Sequence, residues 1–243
     1  MFETILYFFE DCIESFANAF QYNSSELNWC EFQYTKSIYI AEFWNTVTSF
    51  VLSLVGLYGL YTSSTVATKF YLLLIFIGLA SVYFHATLSF AGQLLDELGI
   101  TLIMLIANYT MYVGDSIGLW LISIFGILQL IIQFTYSEYN RFILFLYAIL
   151  FINKFWLALK SNDKMIKWYA HITVGLFVSS VVCWICDFYI CEKDSFLNFH
   201  GIWHILIALT SYFTVETCLL VTKKNANLPH HAKHINWTDY YEQ

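Results

Sequence analysis

A single proline in 243 residues leaves almost nothing to interrupt a long helix. Charge is equally scarce. Asp, Glu, Lys and Arg make up 12% of the chain, against roughly 25% in a soluble domain. The 11 basic residues form no stripe, which argues against nucleic-acid binding. No repeats or low-complexity tracts appear, so a repeat array is excluded. The first forty residues hold Glu3, Glu10, Asp11, Glu14, Glu26 and Glu31 and lack the basic start of a cleavable signal peptide. They are expected to form a short amphipathic piece and a loop on a membrane surface.

What fills the chain instead is apolar: 59% hydrophobic and 20% aromatic residues. A membrane-crossing helix needs about 20 predominantly apolar residues. Such stretches fall near 42–62, 70–88, 96–114, 118–136, 141–160, 168–190 and 201–222. The expected fold is therefore all-α, a bundle of seven transmembrane helices in one domain. Segment 1–41 precedes the 42–222 bundle and a 223–243 tail follows it.

Lysine and arginine placement orients the bundle. With the N-terminus lumenal or extracellular, the cytosolic side holds Lys69, Lys154, Lys160, Lys164, Lys167, Lys223, Lys224 and Lys233. The opposite side holds only Lys36, Arg141 and Lys193. Eight against three is a positive-inside bias, so the C-terminal tail is expected in the cytosol.

Ionisable groups inside apolar spans are costly and mark sites. His200 and His204 are spaced i, i+4, which puts two imidazoles on one helix face as a zinc site requires. Ser81 and His85 share the same spacing near the lumenal end of the second span, and Asp96 opens the third from that side. His200 and His204 open the last span from the same side, so all five fall in one layer. Three neutral imidazoles would leave zinc its full charge and lower the pKa of a bound water to about 7. Asp96 would accept that water's proton and return it to the leaving group, and Ser81 could donate to a developing oxyanion. The plainer readings are a histidine that bonds between helices and a serine that bonds its own backbone. Near the lumenal end of the sixth span, Asp187 either orients a histidine ligand or supports the bundle. Cys183 and Cys186 form a CxxC inside an apolar helix and read as buried thiols.

These residues sit in motifs that resemble the alkaline ceramidase family. That family belongs to a wider superfamily of seven-helix membrane hydrolases that includes the adiponectin and progestin receptors. The matching runs are Ile40-Ala41-Glu42-Phe43-Trp44-Asn45-Thr46, Ser81 with Phe84-His85-Ala86-Thr87-Leu88, Gln93-Leu94-Leu95-Asp96-Glu97, and His200 with Trp203-His204-Ile205-Leu206. The resemblance covers nearly the whole chain after about residue 27. It implies zinc held by His85, His200 and His204, with Ser81 and Asp96 catalytic, and hydrolysis of the ceramide amide to a sphingoid base and a fatty acid. It implies ceramide, related sphingolipids and the bilayer as partners, with no obligate protein partner, in an endoplasmic reticulum or Golgi membrane.

The resemblance also implies a calcium site built from Asn28, Trp29, Glu31, Gln33 and Glu42. Calcium takes six to eight oxygen ligands. The family pattern resembles Asp-Trp-x-Glu-x-Asn, whereas this chain has Asn28 for the Asp and Gln33 for the Asn. Two carboxylates stand where the family has three. Cys30 and Cys191 both fall in expected lumenal loops, where disulfides persist, and the resemblance points to the same pair. Two other readings are a hydrolase of another lipid amide or ester, and a seven-helix receptor with a structural zinc.

Overall fold

The computed structural model describes residues 14–63, 67–111, 116–135, 139, 152, 155–190 and 198–225. Among these are six helices long and apolar enough to cross a membrane, and no strand. They are α1 (Phe43–Thr62), α2 (Thr68–Thr87), α3 (Phe90–Met111), α4 (Ser116–Thr135), α5 (Lys164–Tyr189) and α6 (Phe199–Asn225). Each overlaps an expected span. The expected fifth span, 141–160, lies mostly outside the described residues; positions 155–159 of it are helical. The tail beyond Asn225 also lies outside them, as does Cys191.

A helix in lipid must satisfy its polar groups internally. The hydroxyls of Thr101, Thr173 and Thr217 accordingly donate to the carbonyl one turn back. Large apolar side chains such as Leu54, Leu57, Ile117, Trp120, Ile131, Val178 and Val182 point outward and exposed, a surface suited to lipid. Inside, Leu52, Tyr71, Leu74, Ile77, Ala208, Val215 and Leu219 form the main core, drawn from α1, α2 and α6. Helices α1 and α2 approach until small residues are required. A Cβ on Gly56 would lie 2.9 Å from the Tyr71 carbonyl, and one on Gly78 would collide with Ser53.

The N-terminal loop is stitched to the end of α2, where a helix leaves its last carbonyls unpaired. Asn23 N–H donates to Thr87 O (3.0 Å), Ser25 to Leu88 O (2.9 Å), Ala41 to Ala86 O (2.9 Å) and Glu42 to His85 O (3.0 Å). Leu88 ends α2 in the left-handed region at φ 48° and is buried against Phe84, Ala41, Leu27, Trp29 and Tyr34. The loop therefore covers one end of the bundle. Helix α3 starts at Phe90 and not near 96, because Ser89 caps it by accepting Gly92 N–H at 3.1 Å. Asp96 consequently sits well inside α3.

Candidate active site

His85 near the end of α2 and His200 and His204 at the start of α6 converge. Their rings offer one nitrogen each within 4.8 Å of the others, and all three side chains are buried. His85 Nδ1–H donates to Glu42 Oε2 at 2.6 Å. Thr48 spends its hydroxyl proton on the Trp44 and Asn45 carbonyls, so it accepts from His204 Nδ1–H at 3.0 Å. Both contacts fix a tautomer that leaves Nε2 with a lone pair. His204 Nε2 and His200 Nδ1 are buried with no hydrogen-bond partner. Orphaned buried nitrogens are rare and call for an explanation. A cation shared by the three rings supplies one, and the donor set suits zinc.

His200 is held between two indoles. Trp29 stacks on it at 3.7 Å and 23°, and Trp203 lies 5.0 Å away at 23°. Asp187 reaches the backbone and not the ring: it accepts His200 N–H at 3.2 Å and Cys30 N–H at 3.2 Å. Of the two roles open for Asp187, it positions the start of α6 and ties the N-terminal loop to it.

Ser81 accepts from Ser49 Oγ at 3.0 Å and hydrogen-bonds to the Asp96 carboxylate. Its proton is thus directed at Asp96. Ser81, Asp96 and His200 line a cavity of about 270 Å³. Glu97, Ser180 and Ser211 line it too, and the remaining wall is largely apolar, including Leu74, Ile77, Ile100, Met104, Phe177 and Ile207. An adjoining cavity of about 150 Å³ shares Met104, Phe177 and Ile207 and runs on to Cys218. Reactive polar groups on an otherwise largely apolar cavity fit a lipid better than a water-soluble substrate.

The ceramidase family's sequence profile matches residues 21–242. The chain belongs to the ceramidase family. It is 31% identical to alkaline ceramidase 1 of Mus musculus over 231 residues, covering 86% of this chain and 84% of that relative. Its identity to alkaline ceramidase 1 of Homo sapiens is 29% over 229 residues, 83% and 84% of the two chains. To the alkaline ceramidase of Drosophila melanogaster it is 31% over 211 residues, 78% and 74%.

In this ceramidase-family chain the five residues implied as calcium ligands lie on or beside the N-terminal loop. Glu31 caps α1, accepting Trp44 N–H at 2.7 Å and Asn45 N–H at 2.8 Å, and it also accepts from Asn198 Nδ2 at 3.1 Å. Burial holds its carboxyl above the usual range, partly offset by those N–H groups. Glu42 precedes α1 as its N-cap residue yet makes no cap with its own side chain. Its oxygens instead serve His85, Asn45 Nδ2 (3.0 Å) and Trp29 N–H (3.2 Å). Gln33 Nε2 donates to Asn28 Oδ1 at 2.9 Å. The oxygens are of a kind calcium takes, but each carboxylate already has protein donors with which an ion would share it. Cys30 is disulfide-bonded; Cys191 is not among the described residues.

Thr48, Ser49, Trp203 and the coupling of Glu42 to His85 were not read from the sequence as site features. Thr48 and Ser49 are ordinary helix hydroxyls by pattern, and only the packing of α1 against α2 and α6 gives them partners. Cys183 and Cys186 are free thiols and only half-buried.

Proposed function

We propose that this protein is a zinc-dependent ceramidase that hydrolyses the ceramide amide within the membrane to a sphingoid base and a free fatty acid. The observation that supports it best is the buried trio of imidazoles, two of them with an orphaned nitrogen, of which His200 borders a largely apolar cavity. Membership of a family whose named relatives are alkaline ceramidases supplies the substrate class.

Zinc held by His85, His200 and His204 would supply Lewis acidity towards a water and the amide carbonyl. The chain's own residues do the rest. Asp96, oriented by Ser81, takes a proton from the attacking water as C–O forms and then delivers it to the leaving nitrogen, so that the C–N bond breaks with the amine as leaving group. Glu42 and Thr48 hold the two ring tautomers, and the Trp29–Trp203 pair fixes the plane of His200. The largely apolar cavity takes up hydrocarbon chain and excludes bulk water from the reacting groups.

In this reading the site end faces the lumen, the tail faces the cytosol, and the protein resides in endoplasmic reticulum or Golgi membrane. The Cys30–Cys191 bridge ties the N-terminal loop over the site, and calcium binds the Glu31–Glu42 loop weakly because two carboxylates replace three. Purified protein incubated with long-chain ceramide should release sphingoid base, and His85→Ala should abolish release. A panel of other lipid amides and esters tests the substrate class. Faster turnover of a non-sphingoid lipid would redirect the assignment.

A further inference from the structure

The sequence offers Ser81 as the donor to a developing oxyanion, but the folded chain directs that proton at Asp96. The hydroxyls of Ser180 and Ser211, which also line the cavity, donate to Phe177 O at 2.7 Å and to Ile207 O at 2.8 Å. The indole of Trp29 lines the same cavity, and its Nε1 is buried with no hydrogen-bond partner among the described residues. A buried donor left without an acceptor is costly and rare. The cation that would satisfy His200 Nδ1 and His204 Nε2 cannot satisfy this atom, because an indole N–H only donates. Nor is the ring loosely placed. It stacks on His200 at 3.7 Å and 23°. The backbone N–H of Trp29 donates to Glu42 Oε1 at 3.2 Å, and that of Cys30 donates to Asp187 Oδ2 at 3.2 Å. Asp187 Oδ1 accepts the backbone N–H of His200 at 3.2 Å, so one carboxylate anchors both sides of the stack. Near-parallel planes keep the indole N–H from pointing at the His200 lone pair, since each lies in its own ring plane. The two nitrogens therefore need different partners, and the one Trp29 needs is an acceptor.

We propose that Trp29 is a further catalytic residue, whose Nε1–H donates to the oxygen of the scissile carbonyl and stabilises it as an oxyanion. This rests on the ceramide reading above. When the water oxygen adds to the amide carbon, the carbonyl π pair moves onto that oxygen; when the C–N bond breaks, the pair returns. The indole keeps its proton throughout, so its work is electrostatic and Asp96 alone carries the travelling proton. A preset donor in a site closed to bulk water costs no reorganisation as charge builds, and losing one such donor typically costs about 10²–10³ in turnover. The N-terminal loop thus supplies a group that touches substrate as well as a cover for the bundle.

Trp29→Phe keeps a flat apolar ring against His200 and removes the N–H. It should retain zinc and melting temperature and hold KM for long-chain ceramide within about threefold, while kcat falls about 10²-fold. A second readout needs no turnover. In protein carrying isotope-labelled tryptophan, the indole N–H resonance missing from Trp29→Phe belongs to Trp29. Its proton should move downfield when stearate is added, because that fatty-acid carboxylate offers the same kind of acceptor. Stearate should also inhibit Trp29→Phe roughly tenfold more weakly than wild type. A kcat within about twofold of wild type overturns the inference, as does an indole resonance that stearate leaves in place. Loss of zinc in Trp29→Phe overturns it too, because the indole would then act through His200 alone. Should Trp29→Phe fail to fold, Trp184→Phe and Trp203→Phe, the other indoles lining the cavity, assign the moving resonance by elimination. A shift that disappears in either of those variants counts against Trp29. A wild type that releases no sphingoid base from ceramide overturns the functional reading as well, and is recognised by absent product whatever the indole resonance does.

Discussion

Asp96→Asn preserves shape and every ring nitrogen of the histidine trio, so it should bind metal as wild type does yet lose about 10²–10⁴ of turnover. His85→Ala, His200→Ala or His204→Ala should each lose most of the bound metal together with activity. Elemental analysis beside an activity assay separates the two classes, and an Asp96→Asn protein lacking metal would make Asp96 a ligand. Ser81→Ala should fall between: its proton is directed at Asp96, so its loss leaves the metal in place and misorients the carboxylate. At this scale the sequence was informative where spacing carries chemistry. His200 and His204 at i, i+4, and Ser81 and His85 likewise, marked faces that do meet. It was silent on Thr48 and on the coupling of Glu42 to His85; the contacts of Glu42 to His85 and of Thr48 to His204 span 43 and 156 positions of chain.

Helix ends hold the three histidines and the carboxylates of Glu31 and Glu42. Glu31→Ala removes the only acceptors recorded for Trp44 and Asn45 N–H among the described residues and should cost about 1–2 kcal/mol, visible as a lower melting temperature. The same residue sets a pH dependence. Folding raises the Glu31 pKa, so the native state binds that proton more tightly than the unfolded chain. Stability should then fall as pH climbs through and above the carboxylate range, and the slope should flatten in Glu31→Gln. A steeper slope in Glu31→Gln would show that other groups govern it. Hydrophobic length alone located α1, α2, α4, α5 and α6 to within a few residues, because a span in lipid has little freedom. It misplaced the start of α3, where the cap comes from Ser89 and its turn chemistry and not from an apolar boundary.

Across the whole molecule, sidedness and the covering loop decide how the site is reached. Two glycosylation acceptors by sequence, Asn23-Ser24-Ser25 and Asn236-Trp237-Thr238, would report on opposite faces in the proposed orientation. With the site lumenal, a glycosylating host should modify Asn23 alone, and sugar on Asn236 would invert the orientation. The loop bearing Glu31 and Glu42 should respond to calcium only weakly, and Asn28→Asp should strengthen the response in a melting assay. No shift with either calcium or chelator, in both proteins, would mean that hydrogen bonds have taken over the ion's place. Orientation was legible only as a bias of basic residues, of which Arg141, Lys154, Lys193 and Lys233 lie outside the described residues, so composition carries it alone. In the proposed function, ceramide hydrolysis requires a zinc ion held by His85, His200 and His204. That requirement is tested most directly by release of sphingoid base from long-chain ceramide by the purified protein, before and after its metal is stripped. Release should vanish on stripping, return on adding zinc, and never appear in His85→Ala. A fully active preparation free of metal would contradict the claim.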